Sequence, residues 1–344
     1  MMKKIMIIGG YGQVGSYVCD NLQKQNVDFI VSGRSLEKCK HYVEKTGSNA
    51  ECRLVDVTKW MDSYLENVET VVMCLEMNNM EVLEACIRCG VNYVDITPTG
   101  SMIEQFKRKK EEIAKAGIVV CVGVGIAPGV SNVLCEAMAR KFDNIETINS
   151  YIMLGIGESH GKNAVSWLVN NLNVTYYENL DRNRKVQSFS EGRSIVLSGE
   201  KKKRRFVRID MADWHIMKEK HMDASVNSWY AYDKNSITFL FEGMQKIGLL
   251  KILKYPKVKA FFMKMMGISM KLMKKIHFGT NQYAVMVEMK GTIKGKSVIK
   301  RDIVTGRENS IITAKVCAQT AQKVGDMSAG FYYMDELLER EQIG

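Results

Sequence analysis

The sequence predicts an α/β protein: a doubly wound parallel sheet over residues 1–142, a mixed α+β domain over 143–308, and C-terminal helices over 309–344 that return to the first domain. Three observations predict it. Up to about residue 141, short unbroken Val/Ile runs alternate with helical patterns, which is how strands covered on both faces read. After Asp143 the apolar segments lengthen and begin to alternate, as in an antiparallel or mixed sheet. The last pattern is helical again. A chain of 344 residues suits two domains, and 46% hydrophobic with 25% charged residues excludes a disordered chain or a disulfide miniprotein. No run of 18 apolar residues occurs, so no spanning helix is expected.

In order, strands are expected at 3–8, 28–31, 50–55, 70–74, 93–96 and 118–123, with helices at 13–25, 35–46, 60–66, 80–89, 102–116 and 130–141. Such repeated strand–helix units wind a sheet covered on both faces. Beyond them, strands are expected at 145–154, 222–232, 283–290 and 297–304. Helices are expected at 164–176, twice within the basic segment, and at 311–323 and 334–339. The opening Met1-Met2-Lys3-Lys4-Ile5-Met6-Ile7-Ile8 resembles a signal peptide, but its apolar run is four residues before a double glycine, so a first strand is expected. Nine cysteines without such a signal predict free thiols and a cytoplasmic protein. Cys86 and Cys89 form a CxxC with no second ligand pair, so a helix face is expected there and no metal.

The strongest motif is Gly10-Tyr11-Gly12-Gln13-Val14-Gly15, directly after the first strand and opening a helix. Gly10 permits the tight turn, Gly12 lets backbone approach a pyrophosphate, and Gly15 lets the helix pack on the strand. The amides of Gln13 and Val14 then sit at a helix N-terminus, whose partial positive charge favours an anion. This is a Rossmann dinucleotide turn. At the end of the second strand, the acid that binds ribose hydroxyls in an NAD site is missing. Arg34, Ser35 and Lys38 stand there instead and offer a guanidinium, a hydroxyl and a second positive charge. NADP(H) is therefore expected over NAD(H).

These residues resemble those of the saccharopine dehydrogenase-like oxidoreductases. The resemblance rests on Gly10–Gly15, Gly33-Arg34-Ser35, Asp56-Val57-Thr58, Ala85-Cys86-Ile87, Gly90-Val91-Asn92-Tyr93-Val94-Asp95 and Gly125-Ile126-Ala127-Pro128-Gly129. It covers residues 1–140, with a fainter echo in Thr313-Ala314 and residues 334–338. It implies the fold, a nicotinamide cofactor and a homodimer. It also implies that Asp56 and Val57 lie by the adenine, Cys74 and Leu75 by the nicotinamide ribose, and Gly125–Gly129, with Pro128, above the nicotinamide.

Catalytic candidates are fewer. Asp95 ends its strand at the carboxyl edge of the sheet, where ligands bind in such folds; a loop or helix cap is the alternative role. Of five histidines, His160 stands in a glycine-flanked loop with Lys162 and Asn163. His160 or Lys162 would donate a proton as hydride arrives, and Asn163 would orient a substrate oxygen. His215 and His221 read as surface residues. HExxH, GxSxG and paired metal motifs are absent from the sequence, which removes support for metallohydrolase and serine-hydrolase readings.

The formal net charge is +11, and nine lysines with no acid between Gly243 and Val287 supply +9 of it. The basic pI is local to segment 243–278 and does not predict nucleic-acid binding. Taken as a helix, 257–276 gathers Val258, Phe261, Phe262, Met265, Ile268, Leu272, Met273 and Ile276 on one broad arc, with lysines opposite. Three readings follow: a lid whose Phe261 and Met265 line a substrate site, a helix lying on an anionic membrane, or a solvated scaffold helix. Together the motifs predict an NADP(H)-dependent oxidoreductase acting on a small molecule, with hydride transfer at a C=N or C–N carbon of an amino-acid or polyamine-like substrate. The alternatives are an enoyl-type C=C reductase with an apolar substrate and a non-catalytic NADP-binding regulator.

Overall fold

A computed structural model of the protein describes residues 4–158, 162–178 and 184–343. The chain forms two compact units, Met1–Val133 with Ser310–Ile343, and Leu134–Asn309.

The first unit opens with β1 (Lys4–Ile8), α1 (Gln13–Lys24), β2 (Phe29–Gly33), α2 (Leu36–Thr46) and β3 (Glu51–Leu54). Ile5–Ile8 and all of β2 are buried, as apolar runs in a covered parallel sheet should be. Ser35 caps α2 by accepting the Lys38 amide at 3.3 Å, and Gly47, at φ 62°, closes it. Next come β4 (Val68–Met73), α3 (Glu81–Cys89), β5 (Asn92–Asp95), α4 (Gly100–Lys107), α5 (Lys110–Lys115), β6 (Val119–Val122) and α6 (Val130–Ala139), within which the division between the units falls. Two expectations fail here. Segment 60–66 is only a 3-10 turn, Asp62–Leu65. Segment 102–116 is two helices, because the Lys109 amide bonds three residues back to Phe106, and the Arg-Lys-Lys run at the break carries no apolar periodicity to mark it. Cys86 is buried on α3, Cys89 is exposed, and both are free.

The second unit contains β7 (Asn144–Leu154), α7 (Lys162–Asn171), β8 (Thr175–Tyr177), β9 (Lys185–Gln187), β10 (Gly192–Val196) and β11 (Lys203–Arg208). It continues with α8 (Ala212–Lys220), β12 (Ser225–Tyr232), α9 (Asn235–Lys246), α10 (Pro256–Lys275), β13 (Gln282–Ile293) and β14 (Lys296–Arg307). Six strands form a mixed sheet in the order β10-β11-β12-β7-β13-β14, with β7 parallel to β12 and the other pairs antiparallel. Tyr151 packs edge-on to Phe206 and stacks with Trp229 at its centre. The helix expected to reach residue 176 stops at Asn171, and Tyr176 instead lies in β8, paired with Val186. Arg193, Arg204 and Arg205 gave the β10–β11 hairpin a polar pattern that hid it.

The chain then returns to the first unit through α11 (Asn309–Lys323), β15 (Gly330–Tyr333) and α12 (Arg340–Ile343). The expected helix at 334–339 is one 3-10 turn, Met334–Glu336. β15 adds a seventh strand beside β6, giving the all-parallel order β15-β6-β5-β4-β1-β2-β3. Strand order reverses direction between β1 and β4, so the carboxyl ends of these strands flank the switch point where doubly wound sheets bind ligands.

Candidate functional site

At the end of β1 the amides of Gly9 and Gly10 both donate to the Ser32 carbonyl, and the Gly12 amide closes the turn on the Gly9 carbonyl at 2.8 Å. Gly9 holds φ 83°, which only glycine adopts freely. A Cβ at Gly15 would lie 2.2 Å from the Gly9 carbonyl oxygen, so α1 sits hard against the turn. A Cβ at Gly12 would meet only that same oxygen, at 3.0 Å, which leaves its outer side open for an approaching group. α1 starts without a side-chain cap or an acid in its first turn. The Gln13 side chain donates to the Ser310 hydroxyl at 2.9 Å.

At the end of β2 the Tyr11 ring lies over Gly33, at 2.6 Å from where a Cβ would stand. Arg34 and Lys38 are exposed, and Ser35 is half-buried in its cap. Asp56 accepts the Thr58 hydroxyl at 2.7 Å and the Thr58 amide at 3.0 Å. Those bonds, and to a lesser degree Arg34, hold its carboxyl below the usual range. Val57 beside it is buried.

The ends of β4 and β5 meet next to this turn. The Cys74 amide bonds to the Ile8 carbonyl at 3.0 Å, and the Leu75 side chain rests against Gly9. One residue on, Glu76 is half-buried and accepts the Thr99 hydroxyl at 2.8 Å; burial pushes its carboxyl upward. Asp95 is buried, with one carboxylate oxygen taken by the Tyr93 hydroxyl and the other by the Thr97 amide at 2.6 Å. Burial pushes its pKa up to about 6, against the opposing pull of those hydrogen bonds and with the help of nearby Glu76. Asp95 therefore binds its proton more tightly folded than unfolded. Stability from that proton is complete below the ordinary value of 3.8 and is lost as pH rises through 6. Relative to wild type, Asp95→Asn should gain about 2–3 kcal/mol between about pH 4 and pH 6 and then level off. Urea unfolding at stepped pH reads this; a constant difference across the window contradicts it.

Between β6 and α6 the chain folds back tightly. The Ala127–Pro128 peptide is cis, and Gly129 holds φ 127° while its amide donates to the Asn132 side chain at 3.0 Å. A Cβ at Gly129 would lie 2.2 Å from the Gly125 carbonyl oxygen, and one at Gly125 would approach Thr313 of α11 at 3.8 Å. Pro128 thus stands two residues before α6, inside the turn.

Residues 5–121, which span the glycine turn, Arg34, Cys74 and Asp95, match the family described as saccharopine dehydrogenase NADP binding domain. This stretch is a saccharopine dehydrogenase-type NADP-binding domain. NADP(H) is accordingly the cofactor of this domain. The open outer side of Gly12, the uncapped α1 and the missing acid after β2 fit such a dinucleotide. The fold is similar to that of apo saccharopine dehydrogenase (L-Glu forming) from Saccharomyces cerevisiae, at TM-score 0.68 and 12% identity, covering 99% of this chain and 96% of that one. It is also similar to C. glutamicum DAP dehydrogenase in complex with DAP, at TM-score 0.50 and 14% identity, covering 100% and 96%. No curated protein sequence matches the chain significantly.

The structure gathers Gly10, Gly12, Gln13, Val14, Gly15, Cys74 and Leu75 at the switch point of this domain, with Arg34, Ser35 and Lys38 at the end of the neighbouring β2. His160 lies outside the described residues. Lys162 and Asn163 begin α7, and Phe261 and Met265 are exposed on α10, all in the second unit. Sequence reasoning missed Glu76, whose signal would have been an acid just past the end of a Rossmann strand. It also misplaced two histidines. His215 stacks on Trp214 and contacts Asp210 at 2.7 Å. His221 is largely buried and meets Glu136 at 2.7 Å, with Cys135 near enough that the three donor atoms lie within 4.8 Å of one another. The separation of 85 positions between Glu136 and His221 hides that cluster from any spacing argument.

Proposed function

We propose that the protein transfers hydride between NADP(H) and the C=N or C–N carbon of an amino-acid or polyamine-like compound. The observation that carries this reading is the half-buried Glu76, which stands just past Cys74 and Leu75 within a saccharopine dehydrogenase-type domain. When bound, NADP(H) supplies the hydride chemistry at its nicotinamide ring. In this reading the Gln13 and Val14 amides hold the pyrophosphate, Arg34, Ser35 and Lys38 hold the 2′-phosphate, and Asp56 and Val57 border the adenine. Cys74, Leu75 and the Pro128–Gly129 turn border the nicotinamide end. Glu76, whose carboxyl burial pushes upward against the Thr99 hydrogen bond, supplies the proton that the substrate nitrogen takes up. His160, Lys162, Asn163, Phe261 and Met265 remain candidates for the substrate side.

The test is NADPH consumption by carbonyl compounds offered with and without amines. Amine-dependent turnover is expected, with Glu76→Gln lowering kcat about a hundredfold and leaving NADPH affinity intact. Turnover that ignores both the amine and Glu76 removes the reading. A second reading, C=C reduction of an apolar substrate, is favoured by the exposed Phe261 and Met265 and requires amine-independent turnover. We also propose a homodimer through the second unit; a scattering mass of 39.0 kDa at micromolar concentration would contradict it.

A further inference from the structure

We propose that α10, with the turn that precedes it, docks flat on an anionic lipid surface. The helix has no fully buried residue along its 20 positions, although its sequence is rich in Phe, Met, Ile and Leu. The apolar arc predicted from its periodicity is divided in two. Val258, Phe262, Met266, Met270 and Met273 are half-buried, whereas Phe261, Met265, Ile268, Leu272 and Ile276 form an adjacent bare stripe. Phe261 is 65% exposed, Leu272 57% and Ile276 62%, values that a scaffold helix would not need. Among the described residues, eleven of the nineteen exposed large hydrophobics fall between Phe239 and Ile276. The apolar surface is therefore concentrated in one stretch of the fold.

Charge identifies the occupant. On the helical wheel Lys257, Lys264, Lys271 and Lys275 run beside the bare stripe, on the side away from the half-buried face, and all four are exposed. The nine lysines from Lys246 to Lys275 have no acid among them. A second copy of this chain would bring the same lysines against them, so a self-interface is opposed by like charge. An anionic lipid surface satisfies both halves: the stripe enters the acyl boundary and the lysine stems snorkel to phosphates. A helix of 20 residues offers roughly 30 Å of contact lying in the plane. Among the described residues no helix is long and apolar enough to cross a membrane, which restricts α10 to lying on one.

The experiment is co-sedimentation of the full chain with phosphatidylcholine vesicles, with and without added phosphatidylglycerol. Binding is expected only with phosphatidylglycerol and should weaken as salt rises. Ile268→Ser with Leu272→Ser should lower partitioning about tenfold or more. Lys264→Glu, Lys271→Glu and Lys275→Glu together should lower it about a hundredfold. All of these side chains are exposed, so the variants should fold, and NADPH affinity measured on the same samples should stay unchanged. Lipid docking is independent of the reaction proposed above, and the NADPH readout separates its failure from failure of that reading. It is overturned if wild type ignores anionic vesicles or if neither set of substitutions changes binding. It is also overturned if Ile268→Ser with Leu272→Ser dissolves a dimer without affecting vesicles.

Discussion

Gly12→Val should abolish NADPH binding in a protein that remains folded, whereas Gly15→Ala should damage the fold itself. The two glycines stand three residues apart in one turn, yet their surroundings differ. Gly12 has an extended backbone, φ −77° and ψ 175°, which any residue adopts. An added Cβ there meets one carbonyl oxygen at 3.0 Å and needs a shift of a few tenths of an ångström. The branched side chain then stands on the open side of the turn, where a pyrophosphate must reach backbone amides. The loss of NADPH affinity should exceed about a hundredfold, with little change in unfolding midpoint. At Gly15 the same atom lands 2.2 Å from the Gly9 carbonyl oxygen, 2.8 Å from its carbon and 2.9 Å from the Gly10 Cα. None of these can yield, because the Gly9 and Gly10 amides are fixed on Ser32 and the Gly9 carbonyl accepts the Gly12 amide. A cost of about 3 kcal/mol is expected, at the upper end for overpacking. Denaturant unfolding and fluorescence titration of both variants read the two effects. Normal NADPH affinity in Gly12→Val would reduce the turn to a structural feature.

Arg34→Ala should weaken NADPH by about 1.5–3 kcal/mol, the scale of a charged hydrogen bond, and leave NADH nearly unaffected. The guanidinium is exposed and free of any β2-end acid that would fix it on the ribose hydroxyl side. Its electrostatic neighbour Asp56 is committed to Thr58 through two hydrogen bonds. Arg34 is thus available for a 2′-phosphate, next to the Ser35 cap and Lys38. The loss should shrink at high salt, since the site is open to screening. An equal loss for both dinucleotides would mean that Arg34 supports the adenosine generally and does not select the phosphate.

Local signals carried most of the first unit. The strands of the parallel sheet are continuous Val/Ile runs, and the helix ends at Ser35, Gly47 and Gly90 carry ordinary capping chemistry. β15 was illegible because four residues, Gly-Phe-Tyr-Tyr, become a strand only by pairing with β6. The second unit was harder. Its hairpin strands carry arginines whose partners, such as Glu242 for Arg205, lie far away in sequence. The cofactor turn was legible because its chemistry needs a fixed spacing. The Asp95–Tyr93–Thr97 set was legible only in part and Glu76 not at all, because burial, which raises both carboxyls, is a property of the folded sheet edge. The amphipathic pattern of α10 was visible in sequence, but periodicity could not say which half of its apolar arc the protein covers.

The central claim is a Rossmann site selective for NADP(H), and side-by-side equilibrium titration of wild-type protein with NADPH and NADH tests it most directly. The arrangement of Gly12, Arg34, Ser35 and Lys38 predicts saturable binding of NADPH, tighter than NADH by about tenfold or more. Equal affinities, or binding of neither, would contradict it.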